Sequence, residues 1–142
     1  MNYDVEKMID MAIAARSNSY APYSKFKVGS AILTTDGKYH LGCNIENSSY
    51  PLSNCAERSA LFNLYSNGYS KADIVCMAVV AECDNPVTPC GGCRQVMAEL
   101  LDEKTPIILA NIKRDRIITN IKELLPLSFK LNWGYYAKFW KL

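Results

Sequence analysis

A chain of 142 residues, 49% hydrophobic and 21% charged, is long enough to bury one core and too short for two. Its net charge of +2 comes from scattered Lys and Arg with no basic cluster, which argues against nucleic acid as a partner. No charged start followed by an apolar run marks a secretory leader, and no apolar run reaches the roughly 18 residues of a membrane span. The expected compartment is therefore the cytosol, with no membrane partner.

The chain opens with a helical stripe of Val5, Met8, Ile9, Ala12, Ile13 and Arg16, which ends before the turn-rich Ser17 to Ser24, where Pro22 would break a continuing helix. Val28 to Thr34 and Tyr39 to Ile45 read as strands, and Asp36-Gly37 between them is a strong hairpin signal. Ser53 or Asn54 can cap a helix from about Cys55 to Ser66, which Asn67-Gly68 would stop. Ile74 to Ala81 is apolar throughout, as a buried strand would be. Thr88-Pro89 predicts the start of a helix through Leu101, Pro106 to Ile112 a strand, Arg116 to Thr119 a short strand, and Ile121 to Leu125 a last helix. A helix, a hairpin, then alternating helices and strands predict a three-layer α/β/α domain around a mixed five-stranded sheet.

The chemistry is concentrated in the cysteines. Cys55-Ala56-Glu57 and Pro89-Cys90-Gly91-Gly92-Cys93 supply three thiolates that can fill three corners of a zinc tetrahedron. Neither segment supplies a fourth Cys or His, so one corner is left for water, and an acid two residues from the first ligand can handle that water's protons. A C-x-x-C pair by itself is also found in redox proteins and zinc knuckles. Six cysteines could make disulfides in a secreted protein, but a cytosolic setting favours metal binding and leaves Cys43, Cys76 and Cys83 as small apolar groups. Cys55 and Cys90 each fall at a predicted helix start, where free N–H groups and the positive dipole end favour a thiolate. Arg58, three residues after Cys55, is either a solvated surface charge or a donor to thiolate sulfur that offsets the minus-one charge of three thiolates on a divalent ion. The lone histidine, His40, falls in the hairpin as an ordinary strand residue. No glycine-rich phosphate loop is present, which points to a small neutral substrate.

Four motifs together resemble the small zinc-dependent cytidine deaminases. They are Cys55-Ala56-Glu57, Pro89-Cys90-Gly91-Gly92-Cys93-Arg94-Gln95, the run Tyr20 to Gly29, and Asn44 to Tyr50, and they match in order over residues 5 to 129. The resemblance implies one zinc ion per chain, held by Cys55, Cys90 and Cys93, and a metal-activated water that attacks carbon 4 of cytosine. Glu57 would shuttle protons to the ring and to the leaving ammonia, yielding uridine or deoxyuridine in pyrimidine salvage. By the same resemblance Phe26 packs on the pyrimidine and Asn44 and Glu46 hold the 3′-hydroxyl of the sugar. Tyr50 would line the sugar end, and Ala56 belongs to the substrate-binding set. The bland readings are core packing for Phe26 and Tyr50 and turn chemistry for Asn44. A carboxylate at the sugar favours a free nucleoside, because it would repel a nearby phosphate.

Similar deaminases are homotetramers whose sites borrow an aromatic side chain from a neighbouring subunit, and Phe129 sits where that residue is expected. Leu127 stands where the family commonly has glycine. Residues 1–129 are then the deaminase domain, and residues 130–142 a tail with five aromatics, expected to pack on the same domain or on a partner subunit. Trp133, Tyr136, Phe139 and Trp140 are spaced to share one face of a short helix. Two rival functions share the cysteine motifs: a blasticidin-S-type deaminase, and a noncatalytic zinc or redox module in which the cysteines only hold loops together.

Overall fold

The computed structural model describes residues 2–131. Its first element is α1 (Val5–Arg16), whose start is capped by Asp4, the side chain accepting the Lys7 N–H at 3.1 Å. Next come β1 (Val28–Thr34) and β2 (Tyr39–Cys43), paired antiparallel around the Asp36-Gly37 turn, where Gly37 takes a φ of +80° that suits glycine. They are followed by α2 (Ala56–Ser66), β3 (Ile74–Ala81), α3 (Gly91–Leu100), β4 (Ile107–Asn111), β5 (Arg116–Thr119) and α4 (Ile121–Leu124). The strands form one sheet in the order β2-β1-β3-β4-β5, in which β3 and β4 run parallel and every other pair antiparallel. The predicted mixed five-stranded sheet is the one observed.

Alternation along the central strands explains the layers. Cys76, Ala78 and Val80 of β3 join Ala31 and Leu33 of β1 on one face, where Met8, Ile9 and Ala12 of α1 cover them. Met77 and Val79 point the other way, and with Ile32, Ile107 and Leu109 they meet Ala60, Leu61 and Leu64 of α2 and Met97 of α3. Each large aliphatic side chain buried this way contributes roughly 1.5–3 kcal/mol. Two glycines let the helices lie directly on the strands. A Cβ on Gly29 would stand 1.9 Å from the Ala12 carbonyl oxygen of α1, and one on Gly42 would stand 2.3 Å from the Ala60 nitrogen and 2.7 Å from the Ala56 oxygen of α2. Gly42 therefore sets how closely the start of α2 approaches the sheet.

Besides one-residue trims of β4 and of the ends of α3 and α4, three departures from the sequence reading have a visible cause. Strand β2 ends at Cys43 rather than Ile45, because Ile45 leaves β1 to bridge Tyr20 on one side and Asn54 on the other. Neither Ser53 nor Asn54 caps α2. The Ser53 hydroxyl accepts the Asn47 N–H and the Asn54 amide donates to the Ser59 hydroxyl, so Cys55 itself holds the cap position. Helix α3 begins at Gly91, not at Thr88-Pro89, because Cys90 is extended (φ −68°, ψ 165°) and its sulfur accepts the Cys93 N–H as the cap. The aromatic tail expected over residues 130–142 lies outside the described residues from position 132 onward.

Candidate active site

Helices α2 and α3 present their starting ends to the same point. Cys55 is the N-cap of α2, Cys90 the N-cap of α3, and Cys93 lies in the first turn of α3. Their three Sγ atoms lie within 4.8 Å of one another, with Cys55 and Cys90 4.0 Å apart. Thiolates bound to one tetrahedral zinc at about 2.3 Å stand about 3.8 Å from each other, so the cluster needs little adjustment to take the ion. The donor chemistry agrees: three soft sulfurs and no harder ligand suit zinc. Among the described residues this is the only group of three Cys, His, Asp or Glu side chains that meets a metal's reach. Cys93 is buried, Cys55 half-buried and Cys90 exposed, so the cluster is closed at Cys93 and open at Cys90.

Glu57 lies in the first turn of α2 and is only 5% exposed. Its Oε2 accepts from the Cys93 sulfur at 3.8 Å, which brings the carboxyl to the cluster although residues two apart on a helix usually diverge. Cys55, still extended at φ −74° and ψ 156°, makes the approach possible because the helical rotation begins only after it. Burial pushes the Glu57 carboxyl up from the usual range, helped by the nearby charge of Cys55. Arg58 donates to the Cys55 sulfur at 3.5 Å, so it is not a solvated surface charge. Its Nε is buried without a partner, a donor left over beside thiolate sulfur. Pairing with the neighbouring Cys93 sulfur, and the Arg58 guanidinium beside it, hold the Cys55 thiol at about 5, while the same pairing and burial hold Cys93 well above the thiol range.

The remaining cysteines take no part. Cys76 is fully buried on the α1 side of the sheet, where burial pushes its thiol up to about 12, and burial also raises Cys43. His40 is absorbed in the hairpin, its Nε2 3.0 Å from the Thr34 hydroxyl and its ring edge-on to Tyr69.

A second polar corner lies beside this one. Ile45 exchanges backbone hydrogen bonds with Asn54, at 2.9 and 2.8 Å, so the Asn44–Glu46 segment runs alongside the chain that leads into Cys55. Asn44 brackets Phe26: its Nδ2 donates to the Phe26 carbonyl at 2.7 Å and its Oδ1 accepts the Val28 N–H at 2.9 Å. Phe26 is 42% exposed. Glu46 accepts from the N–H groups of Tyr23 and Ser24 and from the Ser24 hydroxyl. A cavity of about 370 Å³ opens among Tyr23, Ser24, Glu46, Tyr50 and Ser53, with the rings of Tyr23 and Tyr50 edge to face at 5.8 Å. Ala56, fully buried, lies under Gly42 at the first turn of α2. The sequence assigns no site role to Tyr23 or Ser24, although both stand inside the Tyr20–Gly29 motif, and it offers Ser53 only as a helix cap.

Phe129 lies elsewhere. It is 71% exposed, its carbonyl accepts from the Gln95 amide at 3.1 Å, and it lines a different cavity of about 400 Å³ with Lys71, Gln95 and Glu99. Leu127 adopts a φ of +53°, in the left-handed region that glycine occupies most readily.

The sequence model described as "Cytidine and deoxycytidylate deaminase zinc-binding region" matches residues 2–109. Cytidine deaminase of Halalkalibacterium halodurans is 51% identical over 126 residues, covering 89% of this chain and 94% of that protein. Cytidine deaminase of Sporosarcina psychrophila is 48% identical over 134 residues, covering 94% and 97%. The crystal structure of cytidine deaminase from Burkholderia pseudomallei superposes with a TM-score of 0.86 at 47% identity, covering 91% of this chain and all of that one.

Proposed function

The chain belongs to the cytidine and deoxycytidylate deaminase family, and on that premise we propose how its residues divide the work of the reaction. The reaction is the zinc-dependent hydrolytic deamination of cytidine and deoxycytidine: a carbon–oxygen bond forms at carbon 4, the carbon–nitrogen bond breaks, and uridine or deoxyuridine leaves with ammonia. Cys55, Cys90 and Cys93 hold the ion. When bound, zinc supplies a Lewis acid that makes water nucleophilic near neutral pH. Glu57 is the catalytic residue that moves protons: its carboxylate takes one from the attacking water, gives it to the ring nitrogen, and later delivers the second proton to the departing amino group. Arg58 keeps thiolate charge from quenching the metal by donating to Cys55. Phe26 packs on the pyrimidine, Asn44 and Glu46 take the 3′-hydroxyl, Tyr50 lines the sugar end, and Ala56 completes the substrate-binding set.

The contact of Glu57 with Cys93, at the point where three sulfurs meet, carries this reading. A noncatalytic module would have no use for a buried carboxyl beside its metal. The test is an ultraviolet assay of purified protein, with zinc measured in parallel, on cytidine, deoxycytidine, deoxycytidylate and blasticidin S. Turnover of both nucleosides and rejection of the nucleotide are expected, since Glu46 repels phosphate. Protein with one zinc per chain that turns over neither nucleoside would overturn the reading.

The same reading extends to assembly and compartment. Four copies associate, Phe129 of each serving a neighbour's site. An aromatic ring 71% exposed, lining a cavity that shares no residue with the one at Glu46, supports a use outside its own chain. Among the described residues no helix is long and apolar enough to cross a membrane, and the expected compartment remains the cytosol.

A further inference from the structure

All partners of the Glu46 carboxylate belong to two consecutive residues, Tyr23 and Ser24. Oε1 accepts the N–H groups of Tyr23 and Ser24, each at 3.0 Å, and Oε2 accepts the Ser24 hydroxyl. The same hydroxyl oxygen accepts the Phe26 N–H at 3.0 Å. Its proton inventory fixes the directions. A backbone N–H can only donate, so the oxygen accepts from Phe26, and its single proton is free for the carboxylate. One hydroxyl therefore stands between the carboxylate read as the sugar ligand and the backbone of the residue read as the pyrimidine platform.

The neighbouring residues hold that arrangement from both sides. Lys25, between Ser24 and Phe26, adopts a left-handed φ of +58°, and its N–H donates to the Ala21 carbonyl at 3.1 Å. Asn44 takes the Phe26 carbonyl, so the Phe26 peptide groups are fixed at both nitrogen and oxygen. The Ser24 hydroxyl, with the two N–H groups, holds Glu46 below the usual carboxylate range and so ionised near neutral pH. An ionised carboxylate offers about four acceptor positions, and this loop uses three of Glu46's. One position is left, enough for one donor hydroxyl.

We propose that Ser24 is a positioning residue for the reaction: by bridging Glu46 and the Phe26 backbone it makes recognition of the sugar hydroxyl and placement of the pyrimidine a single event. The proposal rests on the reading that Glu46 takes the 3′-hydroxyl. A substrate that engages Glu46 is thereby registered against Phe26, whereas one lacking the hydroxyl gains nothing from the bridge.

The test compares cytidine with 3′-deoxycytidine on the zinc-loaded enzyme and on its Ser24→Ala, Ser24→Thr and Glu46→Gln variants. Hydrogen bonds to charged groups are worth about tenfold to a hundredfold. Ser24→Ala should lower kcat/KM for cytidine by about that much and leave 3′-deoxycytidine nearly unchanged, so that the preference for the natural sugar collapses. Ser24→Thr keeps the hydroxyl at an exposed position and should retain the preference within about threefold. A merely structural role would depress both substrates equally. If Glu46→Gln collapses the preference while Ser24→Ala leaves it intact, the bridge is idle and the proposal is overturned. If Glu46→Gln leaves the preference intact, the reading of Glu46 itself is wrong and the proposal falls with it.

Discussion

In the metal corner three side chains converge on one point from two helix starts, whereas in the nucleoside corner Asn44, Glu46 and Ser24 direct most of their polar atoms at the backbone of the Tyr23–Val28 segment. The first arrangement depends on local spacing and on where a helix begins. The second depends on which loop lies next to which. The two corners should therefore fail differently: damage to the first removes the chemistry at once, and damage to the second leaves the chemistry in place but misplaces what it acts on.

The largest expected effect comes from taking one thiol out of the first corner. Cys93→Ala should release zinc and abolish measurable turnover, and it should lower the melting temperature, because metal binding energy is folding energy where ligands come from separate segments. Cys43→Ala and Cys83→Ala should keep the metal. Metal analysis of the three purified variants decides this, and a zinc requirement for Cys43 or Cys83 would make the site a closed structural one.

Glu57→Gln isolates chemistry from metal binding. The amide keeps the size but cannot take and return a proton, so kcat should fall by about two to four orders of magnitude with zinc retained. Turnover within a few-fold of the parent in a zinc-loaded variant would remove Glu57 from the reaction.

The nucleoside corner should break more gently. Asn44→Ala removes both contacts around Phe26, and KM for cytidine should rise by about tenfold to a hundredfold while zinc content stays at the parent level. Loss of zinc in that variant would show that the two corners are one cooperative unit, and the contrast drawn between them would disappear.

The smallest effect reaches the first corner through the backbone. Gly42→Ala places a methyl against Ala56 and Ala60 of α2, which must retreat, at a cost of roughly 1–3 kcal/mol. Because Cys55 caps that helix, zinc affinity should weaken with stability. Chemical denaturation combined with chelator competition would measure both, and unchanged affinity in a destabilised variant would mean that the cap moves independently of the sheet.

These contrasts also explain what the sequence disclosed. The sheet was legible because β3 is an apolar run and Asp36-Gly37 marks a hairpin, both short-range signals. The grouping of Cys55, Cys90 and Cys93 followed from a C-x-x-C pair and from two helix starts that needed anionic caps. The cap of α2 was misplaced because Ser53 and Asn54, good caps by residue type, are engaged by Asn47 and Ser59, and sequence does not reveal such competition. The start of α3 was misplaced for a related reason: Pro89 suits a first helical turn, but the Cys90 sulfur takes the cap position. The bridge made by Ser24 is not legible in the sequence because it joins two partners, Glu46 and Phe26, one of them more than twenty residues away. No periodicity reports that pairing.

The placement of β3 between the two cysteine segments has a consequence for the order of folding. Cys55 and Cys90 are 35 residues apart, and the chain between them contains the central strand, which must pair with β1 on one side and β4 on the other. Closing so long a loop before the strand is laid down gains few contacts to offset its entropy. Capture of the ion therefore belongs late on the folding route, where an interaction slows escape from the native state more than it hastens arrival. In a chevron the ion should lower the unfolding limb and leave the refolding limb in place, so the metal sets how long each folded molecule lasts.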